Sequence, residues 1–95
     1  MVNAKKEFLG EIKGKELVCA RIGIDKDNYG SKIKWFRLLE NFTKKDFNKF
    51  LEKINFEYDG GYGSQELYGI ILFKEGYSDR GEYDGSEWWQ YHQQP

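Results

Sequence analysis

The stretch from Leu67 to Gln93, LYGIILFKEGYSDRGEYDGSEWWQYHQ, decides the fold, because it holds three strand-like runs separated by two turn signals. The run Leu67–Phe73 is apolar at both alternating sets of positions. This is typical of a central strand covered on each side, or on one side with a partner on the other. Glu75-Gly76 and Asp84-Gly85 are short turn sequences, and such turns join antiparallel neighbours. The stretch therefore predicts three consecutive antiparallel strands.

A helix over about residues 43–55 precedes these strands. Thr43 is a good N-cap and Asp46 follows three residues later, which forms a capping box with the shorter acid. Phe42 and Phe47 occupy the two positions of a hydrophobic staple. One apolar stripe continues along the helix while lysines take the other side, so this segment predicts an amphipathic helix with a single buried face.

The first forty residues predict one more helix and two more strands. Residues 3–13 have apolar side chains at near-helical spacing, which favours a helix, although Gly10 leaves a strand open. Residues 16–24 alternate as a strand does, and turn residues 25–31 lead to a second strand at 32–39. In that second strand the alternation shifts at Trp35-Phe36, which predicts a β-bulge there.

The segments together predict a single α+β domain over residues 1–95. Its order is α-β-β-α-β-β-β, with an antiparallel sheet of about five strands packed against one or two helices. A chain of 95 residues is long enough to bury one hydrophobic core, and 18% aromatic residues add large buried areas to it.

The composition argues against several classes of function. Cys19 is the only cysteine, so neither an internal disulfide nor a thiolate zinc site is expected. No segment has the ~20 consecutive apolar residues of a membrane span and no apolar signal region opens the chain, so we expect a cytoplasmic protein. An enzyme would need a pocket that gathers Asp79, Glu82 or His92. With one histidine and no ligand cluster, we expect no catalytic residue, no metal and no cofactor.

The charges divide sharply along the chain. Residues 1–55 carry 13 Lys and Arg against 8 Asp and Glu, whereas residues 56–95 carry 2 against 8. The net charge of −1 is therefore a cancellation between a basic and an acidic part. Such an asymmetry produces local fields that steer partners of opposite charge.

The acidic part is also rich in tyrosine and tryptophan, which dominate the binding energy of protein interfaces. Trp88 and Trp89 are adjacent on a strand and must point to opposite faces, so one of them is expected outside the core. We therefore predict a protein-binding surface whose carboxylates favour a basic partner. The predicted contact residues are Tyr62, Asp79, Tyr83, Asp84, Glu87, Trp88 and Tyr91.

A nucleic-acid-binding surface is the alternative. Lysine and arginine alternate with aromatic residues in the second strand, a pattern that can hold phosphates and stack bases. The residues of this alternative are Lys32, Lys34, Trp35 and Arg37. Against it, the pI is about 5.8, and the acidic part would repel a nucleic acid.

Two segments, Gly63–Gly69 (GSQELYG) and Arg80–Trp89 (RGEYDGSEWW), resemble a pattern in small uncharacterised proteins of bacteriophages and mobile elements. The likeness covers about the last third of the chain, and EYDGSEWW is its distinctive part. The resemblance implies an origin in a bacteriophage or mobile element, but it does not identify any site residues. Phage proteins of this size often bind host machinery, including defence nucleases. The resemblance therefore implies a stoichiometric inhibitor of the anti-CRISPR type, acting in the host cytoplasm.

Overall fold

The computed structural model describes residues 1–25, 32–59 and 64–94. Its helices and strands are, in chain order, β1 (Val2–Asn3), α1 (Ala4–Ile12), β2 (Leu17–Asp25), β3 (Ile33–Leu38), α2 (Lys44–Lys53), β4 (Glu57–Tyr58), β5 (Leu67–Phe73), β6 (Gly76–Tyr83) and β7 (Ser86–Gln93). Five strands form one antiparallel sheet in the order β3-β2-β5-β6-β7. The predicted α+β class and antiparallel sheet are confirmed, and β1 and β4 add a second, two-stranded sheet.

Both helices pack on the same face of the five-stranded sheet. Phe8 of α1 meets Phe50 of α2 edge to face, with ring centroids 5.3 Å apart. Beneath them lie buried residues from alternating positions of the strands, and the sheet contributes Ala20, Ile22, Ile24, Leu38, Leu67, Ile71, Phe73 and Trp89 to this core. Because side chains alternate across a sheet, the intervening residues of the same strands point to the opposite face.

Helix α2 begins as its sequence predicts. The Thr43 hydroxyl accepts the backbone N–H of Asp46 at 3.1 Å, and the Asp46 carboxylate accepts the N–H of Thr43 at 3.0 Å. These hydrogen bonds hold the pKa of Asp46 below its usual value. Phe42 and Phe47 stack with centroids 5.9 Å apart, so both the capping box and the staple are present.

Residues Ala4–Ile12 form helix α1 and not a strand, the alternative that Gly10 had left open. The side chain of Asn3 caps the helix by accepting the N–H of Lys6 at 2.9 Å. Ala4 and Phe8, one helical turn apart, are fully buried. The helix therefore forms around a capped first turn and one buried stripe, which offsets the weak helix propensity of glycine.

The predicted bulge at Trp35-Phe36 is wrong. Strand β3 pairs with β2 in an unbroken register from Leu38 to Ile33. The apparent shift arises because Trp35 is a large apolar residue on the face away from the helices, while Phe36 packs on the core side. An irregularity occurs instead in β2, between Leu17 and Cys19, where that strand pairs with β5.

Among the described residues, no helix is both long and apolar enough to cross a membrane.

Candidate functional site: the open face of the sheet

The face of the sheet opposite the helices is covered by no described helix, and we call it the open face. It follows from the strand registers that its side chains include those of Cys19, Arg21, Trp35, Arg37, Tyr68, Ile70, Leu72, Tyr77, Asp79, Tyr83, Trp88, Gln90 and His92. Several large apolar side chains on it remain exposed: Trp35 at 38%, Leu72 at 39%, Trp88 at 40% and Tyr83 at 77%. Exposed apolar side chains on a sheet face that no described helix covers make this face a candidate interaction site. Within the described residues, helices therefore cover strand β5 on one side only.

Glycines on neighbouring strands position the two exposed tryptophans. The Trp88 indole lies over Gly81, where a Cβ atom would come within 2.6 Å of the ring. The Trp35 indole lies over Gly23 in the same way, again with 2.6 Å to a hypothetical Cβ. Each indole ring therefore lies flat against the sheet, in the space that a side chain at the glycine would otherwise fill. The two tryptophans present flat, preorganised aromatic surfaces on the same side of the molecule.

Three side chains of β6 and β7, those of Tyr77, Asp79 and His92, contact one another on the open face. Asp79 Oδ1 lies 2.9 Å from His92 Nε2, and the His92 ring stacks on Tyr77 with centroids 4.8 Å apart. Partial burial would raise the pKa of Asp79, but hydrogen bonds from Gln90 and His92 outweigh it and lower that pKa. Asp79 is thus held ionised, with its side chain 40% exposed.

The turn between β6 and β7 extends this surface. Asp84 and Gly85 have φ of 52° and 88°, as a two-residue hairpin turn requires. The Gly85 N–H donates to the Glu82 carboxylate at 2.9 Å, which fixes the turn. Tyr83 and Asp84 are both exposed. Asp79, Tyr83, Asp84 and Trp88 therefore lie at the β6–β7 end of the open face, and we call these four residues the acidic aromatic cluster.

Two residues of the predicted surface lie elsewhere. Tyr91 points to the helix side, where its ring meets Phe73 edge to face at 5.7 Å and the ammonium of Lys15 lies 4.8 Å from it. Glu87 also points to the helix side, and its side chain is fully buried. The prediction that Glu87 contacts a partner is wrong in this structure, because the carboxylate is already bound inside the protein. Tyr62 lies outside the described residues.

Glu87 belongs to a buried polar network centred on Arg80. The guanidinium donates to Glu87 at 3.1 Å, to Glu7 at 3.3 Å and to the Tyr58 hydroxyl at 2.8 Å. Tyr58 in turn donates to Glu7 at 2.5 Å, and burial is the main reason that the pKa of Tyr58 is raised. The Arg80 side chain is 2% exposed and its guanidinium lies 4.9 Å from the Trp89 ring. This network joins α1, β4, β6 and β7 inside the core.

The predicted basic strand is divided between the two faces. Lys34 points to the helix side, with its ammonium 5.5 Å from the Phe36 ring, and Lys32 is exposed just before β3. Trp35 and Arg37 lie on the open face. Arg21, which was not among the predicted site residues, also lies on the open face, with its guanidinium 4.8 Å from the Trp35 ring. The alternation of β2 could have indicated it, because Arg21 is the one charged residue among its apolar neighbours.

Beside Arg21 and Arg37, which line it, the open face has an apolar depression of about 190 Å³ on the β3, β2 and β5 side of the sheet. Its floor includes Cys19, Ile70 and Leu72, and the exposed Leu39 forms part of its rim. Burial, and secondarily the negative charge of Glu40, raises the pKa of the Cys19 thiol. The open face therefore runs from a basic end at Arg21, Trp35 and Arg37, through an apolar middle, to the acidic aromatic cluster.

Glu82, the third residue of the catalytic alternative, lies on the helix side, whereas Asp79 and His92 meet on the open face. Within the parts of the chain that the structure describes, no group of three or more His, Cys, Asp or Glu side chains could hold a metal ion. Comparison with protein-family models, with curated proteins and with solved structures gave no match.

Proposed function

We propose that this protein is a non-enzymatic binding domain that engages a protein partner through the acidic aromatic cluster. The observation that supports the proposal most is the exposure of Trp88 and Tyr83 on a sheet face that no described helix covers. Tyrosine and tryptophan bury much area with few rotatable bonds, so they are favoured as interface anchors. Asp79 and Asp84 add negative charge beside them.

The partner that fits this surface has a basic patch. Of the eight carboxylates in residues 56–95 only Glu87 is fully buried, and its charge is compensated by Arg80. Of the two Lys and Arg residues in the same part of the chain, Lys74 is exposed and Arg80 is buried, so the other carboxylates far outnumber the exposed cations. Attraction between opposite charges speeds association and selects the partner, while the aromatic side chains supply most of the affinity.

The resemblance to phage proteins extends this proposal to a host defence nuclease, inhibited stoichiometrically in the cytoplasm. A nuclease binds nucleic acid along a basic channel, because phosphates dominate that affinity. An acidic, aromatic surface that covers such a channel would compete with the nucleic acid for the same cations.

A second candidate function is the binding of single-stranded nucleic acid at the basic end of the open face. The arrangement of Arg21 over Trp35, with Arg37 on the same face, favours it, because bases stack on aromatic rings while guanidinium groups hold phosphates. Lys34 points to the other face and takes no part there.

Trp88 and Trp35 provide a matched pair of variants that separates the two functions. They are similarly exposed, they lie on the same face and each lies over a glycine. Tagged wild type, Trp88→Ala and Trp35→Ala would be used to capture partners from nuclease-treated host lysate, and the captured protein would then be purified and titrated directly. Binding of fluorescent 20-nucleotide oligo-dT and oligo-U would be measured in parallel by anisotropy at rising salt.

We expect Trp88→Ala to weaken the protein complex by about 30-fold or more, as loss of an interface anchor does, while Trp35→Ala binds like wild type. The opposite pattern, with oligonucleotide affinity lost in Trp35→Ala and falling steeply with salt, would replace the first function by the second. A captured protein that binds both variants equally would refute the assignment of this surface.

A further inference from the structure

Strand β7 forms one edge of the five-stranded sheet, and its composition is unusual for an edge. All eight of its residues pair with β6 in continuous register, so no bulge interrupts it. Between Ser86 and Gln93 it carries no lysine, arginine or proline, and its one carboxylate, Glu87, is buried. Natural sheets normally protect their edges with such charges, prolines or bulges. The opposite edge, β3, does carry Lys34 and Arg37.

The backbone groups that face outward from β7 can be identified. The turn at Asp84-Gly85 makes Tyr83 and Ser86 a hydrogen-bonded pair, as in other two-residue hairpins. At the far end the N–H of Gln94 donates to the carbonyl of Glu75 at 3.0 Å. Even-numbered residues of β7 therefore direct their backbone groups to β6. The odd-numbered residues, Glu87, Trp89, Tyr91 and Gln93, direct theirs to the free edge.

We propose that β7 pairs with β7 of a second copy of this chain, antiparallel and about a two-fold axis at Gln90. In this register Glu87 of one copy lies opposite Gln93 of the other, and Trp89 lies opposite Tyr91. All four outward-facing residues of each strand are then hydrogen-bonded, giving about eight backbone hydrogen bonds and one continuous ten-stranded sheet. The open faces of the two copies join into a single surface.

The side chains are compatible with this register. On the open face, Trp88 of one copy lies opposite His92 of the other, and Gln90 lies opposite Gln90, so no like charges meet directly. Each acidic hairpin turn approaches the opposite end of the other β7, where two lysines, Lys15 and Lys74, and two carboxylates, Glu16 and Glu75, balance one another. A two-fold arrangement is closed, whereas pairing of β7 with β3 would be open-ended, and the charges of β3 disfavour it.

Two substitutions at Tyr91 test the pairing. Tyr91→Ala and Tyr91→Pro both remove the ring that packs on Phe73, but only proline removes the outward N–H. The internal β6–β7 hydrogen bonds are unaffected, since that N–H does not face β6. Sedimentation velocity from about 5 to about 500 µM would give the dimer Kd for wild type and both variants, with circular dichroism to verify folding.

We expect Tyr91→Pro to raise the dimer Kd at least about tenfold above that of Tyr91→Ala, because each dimer loses two hydrogen bonds. The register is tested separately by a cysteine at Gln90 in a Cys19→Ser background. Residues directly opposite in a non-hydrogen-bonded pair have Cα atoms about 4.5 Å apart, within the range for a disulfide. Gln90→Cys should therefore cross-link two copies under mild oxidation, and Ser86→Cys, which lies far from its own counterpart, should not.

A wild-type protein that stays monomeric to about 500 µM would overturn the proposal, as would equal dimer Kd values for the two Tyr91 variants. Cross-linking of Ser86→Cys as fast as Gln90→Cys would overturn the register. None of these outcomes depends on the protein partner, so the dimer and the proposed function can fail independently.

Discussion

Arg80→Met tests the interpretation that the core of this protein depends on a buried ionic network. The Arg80 side chain is 2% exposed, and its guanidinium donates to two carboxylates and one phenol. Methionine is unbranched and uncharged, so it fills the space of the arginine stem but leaves Glu7 and Glu87 without their cation. Removing one partner of a buried ion pair typically costs about 3–5 kcal/mol, since the other charge stays buried.

The structure indicates that the loss in free energy of unfolding for Arg80→Met lies near the lower end of that range. Glu87 retains two backbone donors, the N–H groups of Glu66 at 2.8 Å and Leu67 at 3.0 Å. Glu7 is 22% exposed and keeps the Tyr58 hydroxyl, so water can solvate part of its charge. We therefore expect a loss of about 3 kcal/mol, a large part of the roughly 5–15 kcal/mol that stabilises a domain. In a domain of this size this lowers Tm by roughly 12–24 °C.

Urea denaturation followed by tryptophan fluorescence and circular dichroism would measure the loss. The matched control is Arg21→Met, in which an arginine next to a tryptophan ring is removed from the exposed face, at a cost of about 1 kcal/mol or less. Combining Arg80→Met with Glu7→Gln removes one of the two uncompensated charges, and the amide oxygen can still accept from the Tyr58 hydroxyl, so the double variant should be more stable than Arg80→Met alone. A loss below about 1 kcal/mol for Arg80→Met, or a double variant no more stable than Arg80→Met, would refute the reasoning.

The remaining predictions concern the core, a carboxylate and a helix cap. Trp89→Ala should cost about 3–5 kcal/mol, whereas Trp88→Ala should cost about 1 kcal/mol, and equal losses in urea denaturation would contradict the assignment of faces. Burial, reinforced by nearby carboxylates such as Glu87, raises the pKa of Glu66 above its unfolded value. The folded protein therefore favours the protonated Glu66 side chain, and the stability that this contributes is present below about pH 4 and lost as pH rises through the folded pKa. Glu66→Gln should therefore raise Tm at pH 7 and lose this advantage near pH 4, and a pH-independent difference would be inconsistent with the shift. Thr43→Ala should cost about 1 kcal/mol by breaking the capping box, measured by thermal unfolding with Thr43→Ser as a control that keeps the hydroxyl.

The sequence by itself determined the elements whose causes are local. Thr43 and Asp46 specify the start of α2 because each caps the other within one turn of chain. Asp84-Gly85 specifies the last hairpin because a two-residue turn needs two positive φ values, which this pair adopts readily. The α+β class and most strands follow from such local patterns.

Only the tertiary structure decided which side chains are exposed for contact with a partner and which are buried. Alternation predicts that Trp88 and Trp89 point apart, but the pairing of β7 with β6 in a sheet covered on one face decides that Trp89 is buried. Arg80 and Glu87 look like surface residues in the sequence, because a lone charge is too costly to bury. Their burial depends on Glu7, which is 73 residues from Arg80 along the chain, and on backbone donors of β5 and the residue before it. Contacts between residues so distant in sequence leave no local pattern. They nevertheless fix which face of the sheet the helices cover, and therefore which face stays open.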